Sequence, residues 1–195
     1  MKTVFFDIDT QLDFVNPAGA LYVPGAELRI PVIAGLNRLA VAKGIPLVST
    51  VDAHSESDAE FRDWPHHCIA GTLGQRKAEA TLLEKRVVIP NRACDLAISG
   101  AQQIVVEKQN VNAFTAPNFL KVVEALGAEH CVVYGVVTEV CVWHAATGLL
   151  QAGRKVTVVT DAIETLNAGN SEKALAEIAA RGGKLDTSAC VMSSV

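Results

Sequence analysis

The chain has 195 residues, half of them hydrophobic but only 5% aromatic, with a formal charge of −4. That length suits one domain with a sizeable core. The mildly acidic balance, without blocks of Lys or Arg, argues against nucleic acid or an anionic membrane as partner, and no run approaches the roughly 18 apolar residues of a membrane helix.

In chain order, the apolar run TVFFDI (Thr3 to Ile8) predicts a first strand, and an acid as early as Asp7 is foreign to a secretory signal. The pattern AELRIPVIAGLNRLAVAKG predicts a helix closing at Gly44, followed by a strand in IPLVST (Ile45 to Thr50). From Asp52 to about Arg86 the chain turns polar and loses its periodicity, and it carries Pro65 and three of the five histidines. So long an irregular excursion inside a compact domain is usually functional. Strand QIVVEK (Gln103 to Lys108) comes next, then helix APNFLKVVEALG, with Pro117 expected in its first turn. Strand HCVVYGV (His130 to Val136) leads into helix TEVCVWHAATGLLQAG, for which Thr138 is the expected N-cap. Strand KVTVVTDA (Lys155 to Ala162), helix NSEKALAEIAARGG and a last strand within KLDTSACVM complete the chain. Near-continuous Val and Ile in the strands point to parallel strands covered on both faces. The expectation is one three-layer α/β/α domain over residues 1–195, with a central, mostly parallel sheet of six strands.

Open α/β sheets bind ligands beyond the carboxyl ends of their strands, which singles out Asp9, Asp52, Lys108, Cys141 and Asp161. The five cysteines (Cys68, Cys94, Cys131, Cys141 and Cys190) are odd in number and contain no Cys-x-x-Cys pair. They suggest free thiols in a reducing cytoplasm rather than a disulfide framework or a four-thiolate zinc site. Cys141 projects near a helix N-terminus, where free N–H groups and the dipole favour a thiolate and could hold an oxyanion. The same position suits a buried spacer. Cys131 is mid-strand and has no such setting. Asp9, as proton acceptor, and Lys108, as a stabilising cation, would complete a nucleophilic set, although Lys108 taken alone reads more readily as a surface lysine. His144 lies one turn beyond Cys141, and helix side chains tilt back toward the N-terminus, so it is expected to point elsewhere. Asp52 and His54 share one side of an extended segment, and His67 can fold back onto them. One carboxylate and two imidazoles suit a divalent metal with open positions, or else form an ordinary polar loop.

Five stretches occur in order: DTQLDF (Asp9 to Phe14), DAH (Asp52 to His54), WPHHC (Trp64 to Cys68), EKQNVNAF (Glu107 to Phe114) and GVVTEVCV (Gly135 to Val142). Together they resemble the landmarks of the isochorismatase-like cysteine hydrolases, nicotinamidases being the nearest branch. The resemblance implies a Rossmann-like fold and a triad of Asp9, Lys108 and Cys141. It implies a cis Val136–Val137 peptide and an oxyanion hole made by the N–H groups of Val137 and Cys141. It further implies Asp52, His54 and His67 as ligands of zinc, with iron or manganese as alternatives, and Phe14 and Trp64 as aromatic walls for a flat ring. The implied reaction is hydrolysis of a small-molecule carboxamide, nicotinamide to nicotinate plus ammonia, through a cysteine thioester, in a homo-oligomer. Ala53 departs from the tryptophan typical of nicotinamidases between the Asp and His, which keeps carbamoyl, ureido and maleamate-type amides as alternatives. The opening VFFDIDTQ also resembles haloacid-dehalogenase-type phosphatases, with Asp7 as phosphoryl acceptor. Thr10 and Gln11 replace their Gly-Thr, and their late acidic pair is lacking. A non-catalytic binding protein on the same fold is the remaining alternative.

Overall fold

A computed structural model describes residues 1–195. One sheet contains β1 (Thr3–Ile8), β2 (Leu47–Asp52), β3 (Arg86–Ile89), β4 (Gln103–Lys108), β5 (His130–Val136), β6 (Lys155–Glu164) and β7 (Lys184–Asp186). The strands are all parallel, in the order β3-β4-β2-β1-β5-β6-β7. The expected count of six is therefore corrected to seven. The extra strand is β3, a four-residue edge strand at the end of the polar excursion, where only Ile89 is buried. So short a run carries too little periodicity to stand out.

The helices are α1 (Leu12–Val15), α2 (Ile30–Ala42), α3 (Phe119–Ala125), α4 (Trp143–Gln151), α5 (Ala168–Ala180) and α6 (Ser188–Ser194). α2 and α6 pack together on one side of the sheet, while α4 packs with α5 and lies against β5 and β6. Right-handed crossovers in opposite directions from β1 place these two groups on opposite faces. Two helix starts differ from expectation. Pro117 stands outside α3, and Asn118 at its start donates its side-chain amide to the carbonyls of Pro90 and Arg92 (3.0 and 2.7 Å), tying the helix to the neighbouring loop. α4 is entered through a π-helical turn, Thr138–Val142. Thr138 does not cap it; its hydroxyl donates to the Glu164 carbonyl at 2.8 Å. Glu139 accepts from the backbone N–H groups of Leu166 and Asn167 and from the Thr165 hydroxyl, so the turn is fastened to the end of β6.

The sheet's foundation is its centre. Phe5 and Phe6 of β1 are wholly buried, Phe5 edge-on to Tyr134 and Phe6 edge-on to Phe119, each pair at 6.1 Å between centroids. Removing such a ring costs about 3–5 kcal/mol. β5 approaches β1 closely at Gly135, whose φ is +120° and where a Cβ would lie 2.1 Å from the Ile8 carbonyl oxygen. Strand order reverses at β1, with β2 on one side and β5 on the other. A crevice opens at the carboxyl end of such a reversal.

Candidate active site

The chain leaves β1 through Asp9, whose φ of +48° is left-handed. Its buried carboxylate accepts the Thr50 hydroxyl at 2.6 Å on Oδ1 and faces Lys108 Nζ at 2.9 Å on Oδ2. Parallel pairing of β2 and β4 sets Asp52 opposite Lys108. Lys108 Nζ lies 2.5 Å from Asp52 Oδ1 and 3.9 Å from Cys141 Sγ. Asp9, Lys108 and Cys141, far apart in sequence, are thus one contact cluster.

Burial by itself would pull the Lys108 ammonium down, but Asp52, Asp9 and Cys141 hold it well above its ordinary range. Burial pushes the Cys141 thiol well up, an effect only partly offset by Lys108 and reinforced by Asp9 and Asp52. This corrects the expectation that a helix N-terminus favours the thiolate at rest: the side chain is desolvated and faces two carboxylates. Burial likewise lifts the Asp52 carboxyl to about 6 against the pull of Lys108.

Beside this cluster, one ligand atom from each of Asp52, His54 and His67 lies within 4.8 Å of the others, and all three residues are buried. An acceptor lies near each outer ring nitrogen. His54 Nδ1 faces Asp58 Oδ2 at 3.1 Å, and His67 Nδ1 faces the Pro65 carbonyl at 2.7 Å. The inner nitrogens converge: His54 Nε2 and His67 Nε2 each lie 3.9 Å from an Asp52 carboxylate oxygen. His54 Nε2, like its Nδ1, is buried with no hydrogen-bond partner. An unsatisfied buried polar atom costs about 1–3 kcal/mol, and a cation between these donors would satisfy it. Two imidazoles with converging inner nitrogens, that of His67 oriented from behind by the Pro65 carbonyl, plus a carboxylate, make a donor set suited to zinc. His66 is not part of it; its ring stacks on Phe61 at 4.2 Å.

The cleft over Cys141 is lined by Phe14, Leu21, Asp52, Glu60, Trp64, His67, Val111, Val137, Val140 and Cys141. Phe14 and Trp64 are both in this lining, and the Phe14 ring lies 5.3 Å from the His67 ring. The Val136–Val137 peptide is cis. The lining contains no Arg or Lys, and its carboxylates are Asp52 and Glu60. Glu60, absent from the sequence reading, accepts from Val111 N–H at 2.9 Å and faces His54 Nε2 at 3.7 Å.

Other expected positions fall elsewhere. Asp161 accepts from the N–H and hydroxyl of Ser188 at 2.7 and 2.6 Å, fastening the start of α6. His144 lines a separate surface groove with Trp143 and Thr147. Asp7 is wholly buried, ion-paired to Lys77 at 2.7 Å and hydrogen-bonded to Thr10 and Asn37, so it is not poised as a phosphoryl acceptor.

A family model described as the isochorismatase domain matches residues 3–190. The maleamate amidohydrolase of Pseudomonas putida is 26% identical over 95% of this chain and 83% of its own length. The nicotinamidase of Saccharomyces cerevisiae is 23% identical over 83% of this chain and 87% of its own. Among solved structures, the pyrazinamidase of Pyrococcus horikoshii in complex with zinc is 28% identical, with a TM-score of 0.79, covering 96% of this chain and 99% of that one.

Proposed function

The chain belongs to the isochorismatase family, and on that premise we propose that it is a cysteine amidohydrolase converting nicotinamide to nicotinate and ammonia. That it is a hydrolase acting on amide bonds follows from the family and its amidohydrolase relatives. The observation carrying the finer reading is the buried cluster of Cys141, Asp9 and Lys108 beneath an aromatic-walled cleft, next to the Asp52, His54 and His67 donor set.

In this reading the substrate ring sits between Phe14 and Trp64 with its carboxamide over Cys141. Asp9 takes the thiol proton while Sγ attacks the amide carbon. Negative charge then builds on the former carbonyl oxygen, where the N–H groups of Val137 and Cys141 stabilise it. Asp9 returns the proton to the departing ammonia, leaving a thioester. Asp9 next deprotonates a water that attacks this thioester, and nicotinate leaves as the thiol is restored. Lys108 faces both Asp9 and the sulfur and balances the charge around them. A divalent ion held by Asp52, His54 and His67, zinc first and iron or manganese next, would supply an anchor for the ring nitrogen.

The lining also bears on the choice of substrate. With Glu60 in the wall and no Arg or Lys, the side chains offer a free carboxylate no counter-charge. That supports a neutral aromatic amide over a maleamate-type one. The second reading, a maleamate, carbamoyl or ureido amide, is supported by Ala53 and by the similarity to maleamate amidohydrolase.

The test is ammonia release from nicotinamide, pyrazinamide, maleamate and ureido acids by zinc-loaded protein, with rapid quench and peptide mass spectrometry. The expected result is a nicotinoyl adduct on Cys141 and no turnover by Cys141→Ala. Normal turnover by Cys141→Ala would overturn the mechanism. An adduct formed only with maleamate or ureido compounds would leave the mechanism standing and overturn the substrate.

A further inference from the structure

The tail of β1 carries Asp9 into the thiol cluster, but its next polar side chains turn to other segments. Gln11 is wholly buried. Its Nε2 donates to the carbonyls of Asp52 and Gln75, both at 2.8 Å, and its Oε1 accepts from Asp52 N–H at 2.6 Å. β1 pairs with β2 only as far as Ile8 and Thr50. The Gln11 amide therefore stands where the next strand residue would, taking both backbone groups of Asp52 as a peptide unit does. Both of its N–H donors are used.

Asp13 makes the matching tether. Its Oδ2 accepts from Cys68 N–H at 2.6 Å and its Oδ1 from Ala20 N–H at 3.0 Å. Cys68 directly follows His67 and has a left-handed φ of +45°, a conformation a non-glycine residue seldom holds without support. The Cys68 carbonyl accepts from His54 N–H at 3.1 Å, and the His54 carbonyl accepts from Ala70 N–H at 2.9 Å. Through one backbone contact Asp13 thus braces His67 directly and His54 across this short bridge.

We propose that Gln11 and Asp13 are positioning residues that fix the relative placement of Asp52, His54 and His67 for a divalent cation, and that the same tail, through Asp9, locks this donor set to the Cys141 cluster. The inference rests on the metal reading above.

The test uses the full chain stripped of metal. Zinc affinity is measured by competition with a chromophoric chelator, and the visible spectrum of the cobalt(II)-loaded protein reports ligand geometry. Gln11→Glu places an oxygen against the carbonyl oxygens of Asp52 and Gln75. Asp13→Asn keeps the shape but leaves one of two N–H groups without an acceptor. Each should weaken zinc binding by about 10- to 100-fold, the range for residues that orient metal ligands, and alter the cobalt spectrum. Tyr134→Phe is the control. It removes a buried 2.7 Å hydrogen bond to Asn37, and neither residue bonds Asp52, His54, His67, Gln11 or Asp13, so it should lower the thermal midpoint with affinity and spectrum unchanged. Folded Gln11→Glu and Asp13→Asn proteins with wild-type zinc affinity and spectrum would overturn the proposal. If Gln11→Glu does not fold, Asp13→Asn decides by the same two readouts. Wild-type protein that takes up no zinc would overturn the metal reading itself, a result visible before any variant is made.

Discussion

Replacing Lys108 with Met should destabilise the metal-free protein, and more at neutral than at acid pH. Lys108 Nζ is the cation between Asp9 Oδ2 at 2.9 Å and Asp52 Oδ1 at 2.5 Å, and all three groups are buried. Methionine keeps most of the volume but leaves two carboxylates without a partner. Breaking a buried pair in this way costs about 3–5 kcal/mol. The pH dependence follows from Asp52. Burial raises its carboxyl from 3.8 to about 6 even with Lys108 present. For an acid raised in the folded state, that state holds more protons than the unfolded one, so stability falls as pH rises through the interval between the two values. In the wild type this loss ends near 6. Without Lys108 the interval extends upward, so the variant goes on losing stability with rising pH where the wild type no longer does. Urea unfolding in chelator at pH 5.0 and 7.5 measures this. The expected destabilisation is about 3–5 kcal/mol at pH 7.5 and smaller at pH 5.0. Equal stability of Lys108→Met and wild type at pH 7.5, or a difference that does not change with pH, would refute the ion cluster as described.

Gly135→Ala should yield little folded protein, because its Cβ would meet the Ile8 carbonyl oxygen at 2.1 Å; Gly153→Ala, with φ +76° and open space, should cost only about 1–2 kcal/mol in urea unfolding. Zinc at about 1,000 times its dissociation constant should stabilise the wild type by about 4 kcal/mol in thermal unfolding, and His54→Ala should lose that gain. In peptide-resolved alkylation with iodoacetamide at neutral pH, Cys141 should react more slowly than the exposed Cys190, and its rate should keep climbing with pH beyond the ordinary thiol range, because burial holds the thiol protonated. Faster alkylation of Cys141 than of Cys190 at pH 7 would contradict a neutral resting thiol.

The parts of the site legible in the sequence are those that local pattern can carry. Asp9, Asp52 and Lys108 stand at or just beyond the ends of apolar runs, and parallel pairing alone brings such ends together. The ordered motifs supplied the rest of the donor set. Gln11, Asp13 and Glu60 were not legible because their partners lie 41, 55 and 51 residues away and no periodicity links them. The edge strand β3 was lost for want of length. The π-helical turn that carries Cys141 has the apolar spacing of a regular helix start, so the sequence does not distinguish the two.

The state of the thiol shows why a local reading can give the wrong sign. A helix N-terminus favours a thiolate by a local dipole, worth up to about 2 kcal/mol where partly buried. Desolvation acts on the whole side chain, and Cys141 has also been brought against two carboxylates with one ammonium between them. Ionising the thiol to solvent would add a second uncompensated negative charge to this buried cluster. Passing its proton to Asp9 moves charge within the cluster and leaves the total unchanged. Lys108 faces both the donor and the acceptor of that proton, so its interaction survives the transfer. The arrangement therefore suits a nucleophile that stays neutral until an electrophilic carbon is in contact, and it ties reactivity to proton transfer within the cluster that Lys108 bridges rather than to a standing thiolate.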